Sequence, residues 1–187
     1  NGKEQPKVSH TTFVSLNPIT EFSDYKYKVN YSKLELKSDY SQIAHPSARE
    51  CLKFINVSSG VEITYSSDLP ARTGIGSSSS ATVGLLSALH ALKGSIVSHK
   101  QLADEAIFVE QKCMGERVGC QDQYACALGG LKHYVFSSDG SISYRPIGLN
   151  REIVSALQER LILFYTNIRR SAHGILEEQM ENTRSRQ

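Results

Sequence analysis

A glycine- and serine-rich segment, placed between a predicted strand and a predicted helix, constrains the fold of this chain more than any other feature. Residues 68 to 81 read Asp-Leu-Pro-Ala-Arg-Thr-Gly-Ile-Gly-Ser-Ser-Ser-Ser-Ala. Gly74 and Gly76 allow backbone conformations that are closed to other residues, and they let a ligand approach the main chain closely. The serines enter a helix whose first four amide groups have no internal partner, and such amides favour a bound anion, most often a phosphate. This glycine-serine segment therefore predicts a nucleotide or a phosphate ester as ligand.

The hydrophobic patterns on both sides of the segment predict a strand before it and a helix after it. Val61, Ile63 and Tyr65 alternate with polar residues, as in a half-buried strand. The following helix is predicted to end near Gly94, and its apolar residues recur at helical spacing. These residues are Ala81, Leu85, Ala88 and Leu92, with Leu86 and Leu89 beside them. A flexible linker, the alternative explanation of a glycine-serine run, does not usually join a clear strand to an amphipathic helix.

Other strands and helices are predicted along the chain in an irregular order. Residues 1 to 24 are polar and lack clear periodicity. The predicted strands cover residues 25–36, 61–65, 131–136, 141–147 and 160–166, and further helices are predicted to begin at Pro46, at Ser98 and near Ser171. Asp139-Gly140, between two of these strands, is a strong hairpin signal. The mixture predicts an α+β or mixed α/β fold rather than a strictly alternating parallel one.

Composition is that of an ordinary globular protein of 187 residues with a net charge of +2. Because no long basic run is present, we expect no nucleic-acid partner and no acidic membrane surface as partner. No apolar stretch approaches about 18 residues and the polar start is unlike a signal peptide, so we expect a cytoplasmic protein without a transmembrane helix. The cysteines show no metal-binding spacing and are predicted to be free thiols, with a reactive Cys120 as the alternative. They are Cys51, Cys113, Cys120 and Cys126.

Two acidic residues after the glycine-serine segment are candidates for catalysis. Glu110 lies beside the apolar stripe of the helix predicted from Ser98, although taken alone it would be a solvated helix carboxylate. Asp122 belongs to the segment Val118-Gly119-Cys120-Gln121-Asp122-Gln123-Tyr124, where a glycine turn could hold a carboxylate against a substrate hydroxyl. Taken alone, Asp122 could equally be a helix N-cap or a turn residue.

The combination of these elements indicates a protein family far more specifically than any one of them alone. Pro70-x-x-x-Gly74-Ile75-Gly76-Ser77-Ser78-Ser79-Ser80-Ala81, followed by Glu110 and then Gln121-Asp122-Gln123, resembles the GHMP small-molecule kinases. Gly-Cys-Gln-Asp-Gln-Tyr-Ala at residues 119–125 and Phe-Tyr-Thr-Asn-Ile-Arg-Arg-Ser-Ala at residues 164–172 are most similar to the branch of D-glycero-D-manno-heptose 7-phosphate kinases. L-fucokinase, which has a similar Gln-Asp-Gln segment, is the nearest competitor within the family.

The resemblance implies a site for ATP and Mg²⁺. Backbone amides of the glycine-serine segment would wrap the ATP phosphates, and they belong to Gly74, Ile75, Gly76, Ser77, Ser78 and Ser79. Ser78 and Glu110 would bind Mg²⁺, a cation that prefers oxygen ligands. Asp122 would face the accepting hydroxyl as a general base or an orienting group. Arg170 matches an arginine of the heptose branch and would clamp the phosphate of the substrate, with a surface salt bridge as the alternative.

The resemblance also implies domain boundaries. We expect the α+β, two-domain architecture of the GHMP kinases, with a mixed α/β ATP-binding N-terminal domain over residues 1–150. Residues 151–187 would be the start of a ferredoxin-like C-terminal domain. Residues 1–24 do not match the first strand and the glycine-rich segment of the family, and no second glycine-rich loop follows later in the sequence. We therefore expect a central portion of a longer kinase.

The implied function is transfer of the γ-phosphoryl group of ATP to a hydroxyl of a sugar phosphate. By analogy this is the anomeric hydroxyl of D-glycero-D-manno-heptose 7-phosphate, so the expected partner is a small-molecule sugar phosphate. The oligomeric state is not encoded in a visible heptad or patch. Three alternatives stay open: another GHMP sugar kinase such as an L-fucokinase, a non-catalytic sugar- or nucleotide-binding homologue, and an interaction domain without a ligand.

Overall fold

The computed structural model describes residues 11–20, 22–68, 75–162 and 164. These ranges form a four-stranded mixed sheet, a separate two-stranded hairpin and five α-helices. The strands are β1 (Thr12–Pro18), β2 (Tyr27–Asn30), β3 (Leu34–Lys37), β4 (Val61–Ser67), β5 (Lys132–Phe136) and β6 (Ile142–Pro146). The helices are α1 (Pro46–Ile55), α2 (Ser77–Leu92), α3 (His99–Phe108), α4 (Gln121–Leu128) and α5 (Arg151–Glu159). A π-helical turn, Val109–Cys113, continues α3.

The main sheet has the strand order β1-β4-β2-β3 and buries one of its faces. Strand β4 pairs antiparallel with β1 and parallel with β2, and β2 pairs antiparallel with β3. Ile63 lies opposite Leu16 of β1 on one side and opposite Val29 of β2 on the other. Because side chains alternate along a strand, these residues share one face. Val29, Val61 and Ile63 are fully buried there, whereas Phe13 on the opposite face is exposed.

Helices α1 and α2 cover the buried face of the sheet. Ala48, Cys51 and Leu52 of α1 join the buried leucines of α2 and the sheet residues in one core. Full burial of each large aliphatic side chain in such a core stabilises the fold by roughly 1.5–3 kcal/mol. Gly84 of α2 faces β1, and a Cβ at this position would lie only 3.1 Å from Cγ2 of Val14. The missing side chain thus lets α2 lie close to the sheet, which fixes the position of its first turn.

Polar contacts between helices hold α3 against α2 and α4 against α3. His90 Nε2 of α2 lies 2.7 Å from Glu105 Oε2 of α3. The buried phenol of Tyr124 in α4 donates to Asp104 Oδ1 of α3 at 2.6 Å, and Lys100 contacts the other oxygen of that carboxylate. The three helices are thereby joined in the order α2, α3, α4.

Most of the predicted elements are confirmed, and the fold is of the predicted mixed α and β class. Helix α1 begins at Pro46, and Ser98 caps α3 by accepting the amide of Gln101 at 3.1 Å. The predicted hairpin is formed by β5 and β6 around Asp139-Gly140. In the part of the chain that is described, no helix has the length and hydropathy needed to cross a membrane.

Strand β1 lies within residues 1 to 24, where the sequence shows no clear periodicity and predicts no strand. Val14 and Leu16 are the apolar residues of β1 that pack against the core, and Phe13 is exposed on the outer face. Such a short alternation does not stand out in the sequence. The strand forms because its whole length pairs with β4, from Thr12 opposite Ser67 to Pro18 opposite Val61.

The strand predicted over residues 160–166 is wrong in its described part. Arg160 is the C-cap of α5, and its amide donates to the carbonyl of Leu157 at 3.1 Å. Leu161, Ile162 and Phe164 are exposed and belong to no strand. An apolar run forms a strand only where a partner supplies hydrogen bonds, and none of the described strands pairs with it. The helix predicted near Ser171 and most of the expected C-terminal domain lie outside the described residues.

A buried carboxylate, Glu35 of β3, holds the connection that leads into α1. It accepts hydrogen bonds from the amide of Ala44 at 2.7 Å, the phenol of Tyr31 at 3.0 Å and the amide of His45 at 3.0 Å. Burial by itself raises the pKa of Glu35, but these three hydrogen bonds outweigh burial and lower the pKa below its ordinary value. The ionised form of Glu35 therefore stabilises the fold.

We expect Glu35→Gln to lower the free energy of unfolding by about 1–3 kcal/mol at pH 7, because an amide cannot accept all three hydrogen bonds. The contribution of Glu35 is fully present above its ordinary pKa of 4.5 and decreases as the pH falls through the lowered pKa of the folded state. Urea unfolding of the wild-type protein and of Glu35→Gln, at pH 7 and at about pH 3, measures this contribution. The difference in the free energy of unfolding between the two proteins should be smaller at the acidic pH. An equal difference in the free energy of unfolding at both pH values would contradict the stabilising role of the ionised Glu35.

Candidate active site

The first turn of α2 begins at a glycine in the left-handed backbone conformation. Gly76 is the N-cap with φ of +74°, and it has no side chain with which to cap the helix. The helical hydrogen bonds begin with the amide of Ser80, which donates to the carbonyl of Gly76 at 2.9 Å. The amides of Ser77, Ser78 and Ser79 precede this ladder. Together with the helix dipole, such amides favour an anion at this turn.

Glu110 is buried in the π-helical turn after α3, and its carboxylate reaches the first turn of α2. Its Oε2 atom accepts hydrogen bonds from the hydroxyl of Ser79 at 3.0 Å and from the side-chain amide of Gln123. Glu110 is only 1% exposed, and its Oε1 atom has no hydrogen-bond partner among the described residues. Most buried polar atoms are paired, so an unpaired carboxylate oxygen indicates a position for a ligand. Glu110 is not the solvated helix carboxylate of the alternative interpretation.

The environment of Glu110 acts on its charge in two opposite ways. Burial raises the pKa of the carboxyl above its ordinary value, and hydrogen bonds from Gln123 and Ser79 oppose this shift. The π-helical turn also changes which residues face the core. Its extra residue rotates the following positions around the helix axis, and π turns of this kind are frequent at functional sites. Cys113, four residues after the buried Val109, would share its face in a regular helix, but here it is exposed.

Asp122 is exposed in the first turn of α4 and packs against the N-cap of α2. A Cβ built on Gly76 would lie 3.4 Å from Cγ and 3.5 Å from Oδ2 of Asp122. One turn further along α4, Cys126 Sγ lies 3.9 Å from the carbonyl oxygen of Gly76. The N-cap of α4 is Cys120, so Asp122 does not have the capping role of the alternative interpretation. Its carboxylate is instead presented beside the turn that favours an anion.

The structure thus brings three separate segments of the sequence to one place. Gly76 and the serines form the first turn of α2, with Ile75 before them, Glu110 on one side and Asp122 on another. Gly74 and Arg170 lie outside the described residues, so their predicted roles stay predictions.

The hydrogen bonds at the first turn of α2 distinguish two neighbouring serines. Ser79 is bonded to Glu110, whereas Ser78, the predicted magnesium ligand, is exposed. The carbonyl of Ser78 accepts a hydrogen bond from the Thr82 hydroxyl at 3.2 Å. Ser79 and Gln123 contact Glu110, and the sequence alone assigns neither of them this contact. The only signal for Gln123 is its position next to Asp122.

The donor atoms beside the turn suit a hard cation. Glu110 Oε1 and the hydroxyls of Ser78 and Ser79 are oxygen donors, the type that Mg²⁺ prefers. The described residues contain no group of three or more His, Cys, Asp or Glu side chains that could hold a metal by themselves. Mg²⁺ commonly takes one or two carboxylates together with the phosphates of a substrate. The residues present therefore fit such an ion when a phosphate is bound with it.

The cysteines of the chain are free thiols, as predicted. Cys51 is buried in the core, and burial raises its pKa to about 12. Because the thiolate is the reactive form, this side chain is inert at neutral pH. Cys120 is half-buried at the beginning of α4.

Comparison with known proteins identifies the domain that carries these residues. Residues 42–130 match the family profile of the GHMP kinases N terminal domain. D-glycero-alpha-D-manno-heptose 7-phosphate kinase of Campylobacter jejuni is 29% identical over 162 residues, which cover 86% of this chain and 46% of that protein. L-fucokinase/L-fucose-1-P guanylyltransferase of Bacteroides fragilis is 28% identical over 181 residues, which cover 87% of this chain and 18% of that protein. The chain spans less than half the length of these curated relatives.

A solved structure shares the fold. The crystal structure of a D-glycero-D-manno-heptose 1-phosphate kinase from Bacteroides thetaiotaomicron matches with a TM-score of 0.67 at 20% identity, over 77% of this chain and 50% of that one. The expected GHMP kinase fold is therefore confirmed. The residues matched by the family profile include the first turn of α2, Glu110 and Asp122. Residues 42–130 of this chain are thus similar to a GHMP kinase N-terminal domain.

Proposed function

We propose that the complete protein containing this chain is an ATP- and Mg²⁺-dependent sugar kinase. Its proposed reaction transfers the γ-phosphoryl group to the anomeric hydroxyl of D-glycero-D-manno-heptose 7-phosphate. The observation that carries the proposal is the convergence of two carboxylates on the first turn of α2. Glu110 is bonded to Ser79 at that turn, and Asp122 packs against Gly76. The similarity to the Campylobacter jejuni heptose 7-phosphate kinase supports a sugar phosphate as acceptor.

The first turn of α2 is the proposed binding site for the ATP phosphates. The amides of Ser77, Ser78 and Ser79 precede the helical ladder, so they can donate to phosphate oxygens without breaking a helical hydrogen bond. Phosphoryl transfer has a loose transition state, and the protein mainly positions the reactants and stabilises charge on the transferred group. Donors that are already oriented do this without reorganisation. Gly74 and Ile75 are proposed to extend the same cradle.

The proposed ligands of Mg²⁺ are Glu110 and Ser78, and the hydroxyl of Ser79 lies next to them. Glu110 and Asp122 are both acidic and both lie at the turn where the phosphates would bind, so their negative charges oppose a triphosphate. When bound, Mg²⁺ supplies positive charge that offsets this repulsion and stabilises the developing charge on the phosphoryl oxygens.

Asp122 is the proposed catalytic residue. Its exposed carboxylate in contact with Gly76 can accept the proton of an acceptor hydroxyl, or orient that hydroxyl, next to the proposed phosphate site. Arg170, outside the described residues, is proposed to bind the 7-phosphate of the substrate through its guanidinium group. The domain boundary between residues 150 and 151 belongs to this proposal as well.

The test is ADP release by the complete protein with MgATP and either D-glycero-D-manno-heptose 7-phosphate, L-fucose or no acceptor. We expect rapid release with the heptose phosphate and a new anomeric phosphate signal in ³¹P NMR. Turnover with L-fucose alone would favour the second candidate, which the relative at 28% identity motivates. Saturable MgATP binding by calorimetry without turnover would favour a non-catalytic homologue. Absence of MgATP binding would overturn the proposal.

A further inference from the structure

Gln123 is buried at the base of the candidate site and contacts Glu110 directly. It is 1% exposed, and its side-chain amide donates to Glu110 Oε2. A carboxylate only accepts hydrogen bonds, so the NH₂ group of Gln123 is the end that must face it. Gln121, two residues earlier on the same helix, is exposed. The two glutamines of this motif are therefore in very different environments.

The hydrogen bonds to Glu110 are unequally divided between its two oxygens. Gln123 and Ser79 both donate to Oε2, whereas Oε1 has no partner among the described residues. A carboxylate torsion has a broad, roughly two-fold preference, so an unbonded group can exchange its oxygens by rotation. Two donors from two different helices, α2 and α4, oppose that rotation. Hydrogen bonds to a charged acceptor are about twice as strong as neutral ones, which makes this restraint effective.

The neighbours of Gln123 hold it in place relative to Glu110. Tyr124, the next residue, is 1% exposed and donates to Asp104 of α3 at 2.6 Å. The π-helical turn that carries Glu110 continues α3, so this bond joins the two backbones that bear the interacting side chains. Asp122, on the other side of Gln123, contacts Gly76. Three consecutive residues of α4 thus contact the turn of α2, the carboxylate and α3.

We propose that Gln123 is a positioning residue, which holds one oxygen of Glu110 so that the other oxygen faces a divalent cation. This inference rests on the proposed function, because that function requires the cation. Gln123 does not touch the reacting atoms and acts through Glu110. Because Asp122 and Gln123 are adjacent on one rigid helical turn, the same turn sets the position of the catalytic carboxylate and the orientation of the metal-binding one.

The experiment compares Gln123→Met with Gln121→Met in the complete protein. Both variants replace an amide with an unbranched side chain of similar size on the same helix, and only the first removes a donor to Glu110. Mn²⁺ serves as the probe, and its binding in the presence of ADP is measured by electron paramagnetic resonance. We expect Gln123→Met to weaken Mn²⁺ binding by about 10- to 100-fold, the range found for partners of metal ligands, and Gln121→Met to bind as wild type does.

Steady-state kinetics separate positioning from a merely structural role. We expect KM for Mg²⁺ to rise by about 10- to 100-fold in Gln123→Met, and kcat to return toward the wild-type value at saturating Mg²⁺. If Gln123→Met does not fold, Gln123→Asn carries the test, because it keeps the amide but shortens its reach, and the same direction of change is expected. Unchanged Mn²⁺ affinity in a folded Gln123 variant, an equal loss in Gln121→Met, or a fall of kcat that excess Mg²⁺ does not restore would overturn the inference.

The Mn²⁺ measurement keeps this inference separate from the proposed reaction. Wild-type protein that binds Mn²⁺ with ADP and loses that binding in Gln123→Met supports the role of Gln123, even if no sugar is phosphorylated. In that case the proposed function is wrong, and the role of Gln123 is still supported. Wild-type protein that phosphorylates the heptose phosphate but shows the same Mn²⁺ affinity in both variants supports the function and overturns the role of Gln123.

Discussion

Replacement of Asp122 by asparagine in the complete protein is expected to lower kcat by at least about 10²-fold, in line with the loss of a positioned proton acceptor. Asparagine has nearly the shape of aspartate, so the contact of the side chain with Gly76 can be kept while the negative charge is lost. Because Asp122 is exposed, the free energy of unfolding should change little. ADP release with the heptose phosphate measures kcat, and calorimetry with MgATP checks that nucleotide binding survives.

Asp24→Asn is the control for the change of charge. Asp24 is exposed in the connection between β1 and β2, so Asp24→Asn removes the same negative charge outside the candidate site. This variant should turn over as wild type does. If Asp122→Asn retained near-normal turnover, the assignment of Asp122 as the catalytic residue would be wrong, although the proposed phosphate site would be unaffected.

The parts of the fold that could be predicted are those with strong local signals. Helix α2 has apolar residues at helical spacing, α3 has a serine cap, and β5 and β6 flank an Asp-Gly turn, so each is encoded within a short stretch. Strand β1 and helix α4 lack such signals. Strand β1 depends on pairing with β4 about fifty residues later, and the eight residues of α4 are held by contacts with α2 and α3. Elements that depend on tertiary contacts are the ones that a sequence pattern misses.

The candidate site was predictable to the level of segments rather than of atoms. The motif indicated that Glu110 and Asp122 belong with the glycine-serine segment, and the structure brings them to the first turn of α2. The sequence could not decide which serine meets Glu110. Successive residues of a helix point about 100° apart, so the choice between Ser78 and Ser79 depends on the rotation of α2 against its neighbours. The contact of Gln123 with Glu110 likewise depends on how α4 packs against α3.

A second large effect is expected at Gly76, where a left-handed backbone conformation lies beside the proposed catalytic carboxylate of Asp122. Gly76→Val places a branched side chain at φ of +74°, which costs roughly 1–2 kcal/mol of stability. Its Cβ would already lie 3.4 Å from Cγ of Asp122, so we expect the two methyl groups beyond it to displace that carboxylate. Since a displacement of about 1 Å can lower a rate by about 10²-fold, we expect kcat to fall at least that far.

Gly94→Val separates the backbone effect from the displacement of Asp122. Gly94 follows the other end of α2 with φ of +69°, and no described atom outside its immediate neighbours lies within 4 Å of a Cβ built there. Urea unfolding should therefore show a similar loss of stability in both variants, of roughly 1–2 kcal/mol. Kinetics should show a large fall of kcat in Gly76→Val only. Equal kcat values in the two folded variants would mean that Asp122 is not held in its working position by its contact with the N-cap of α2.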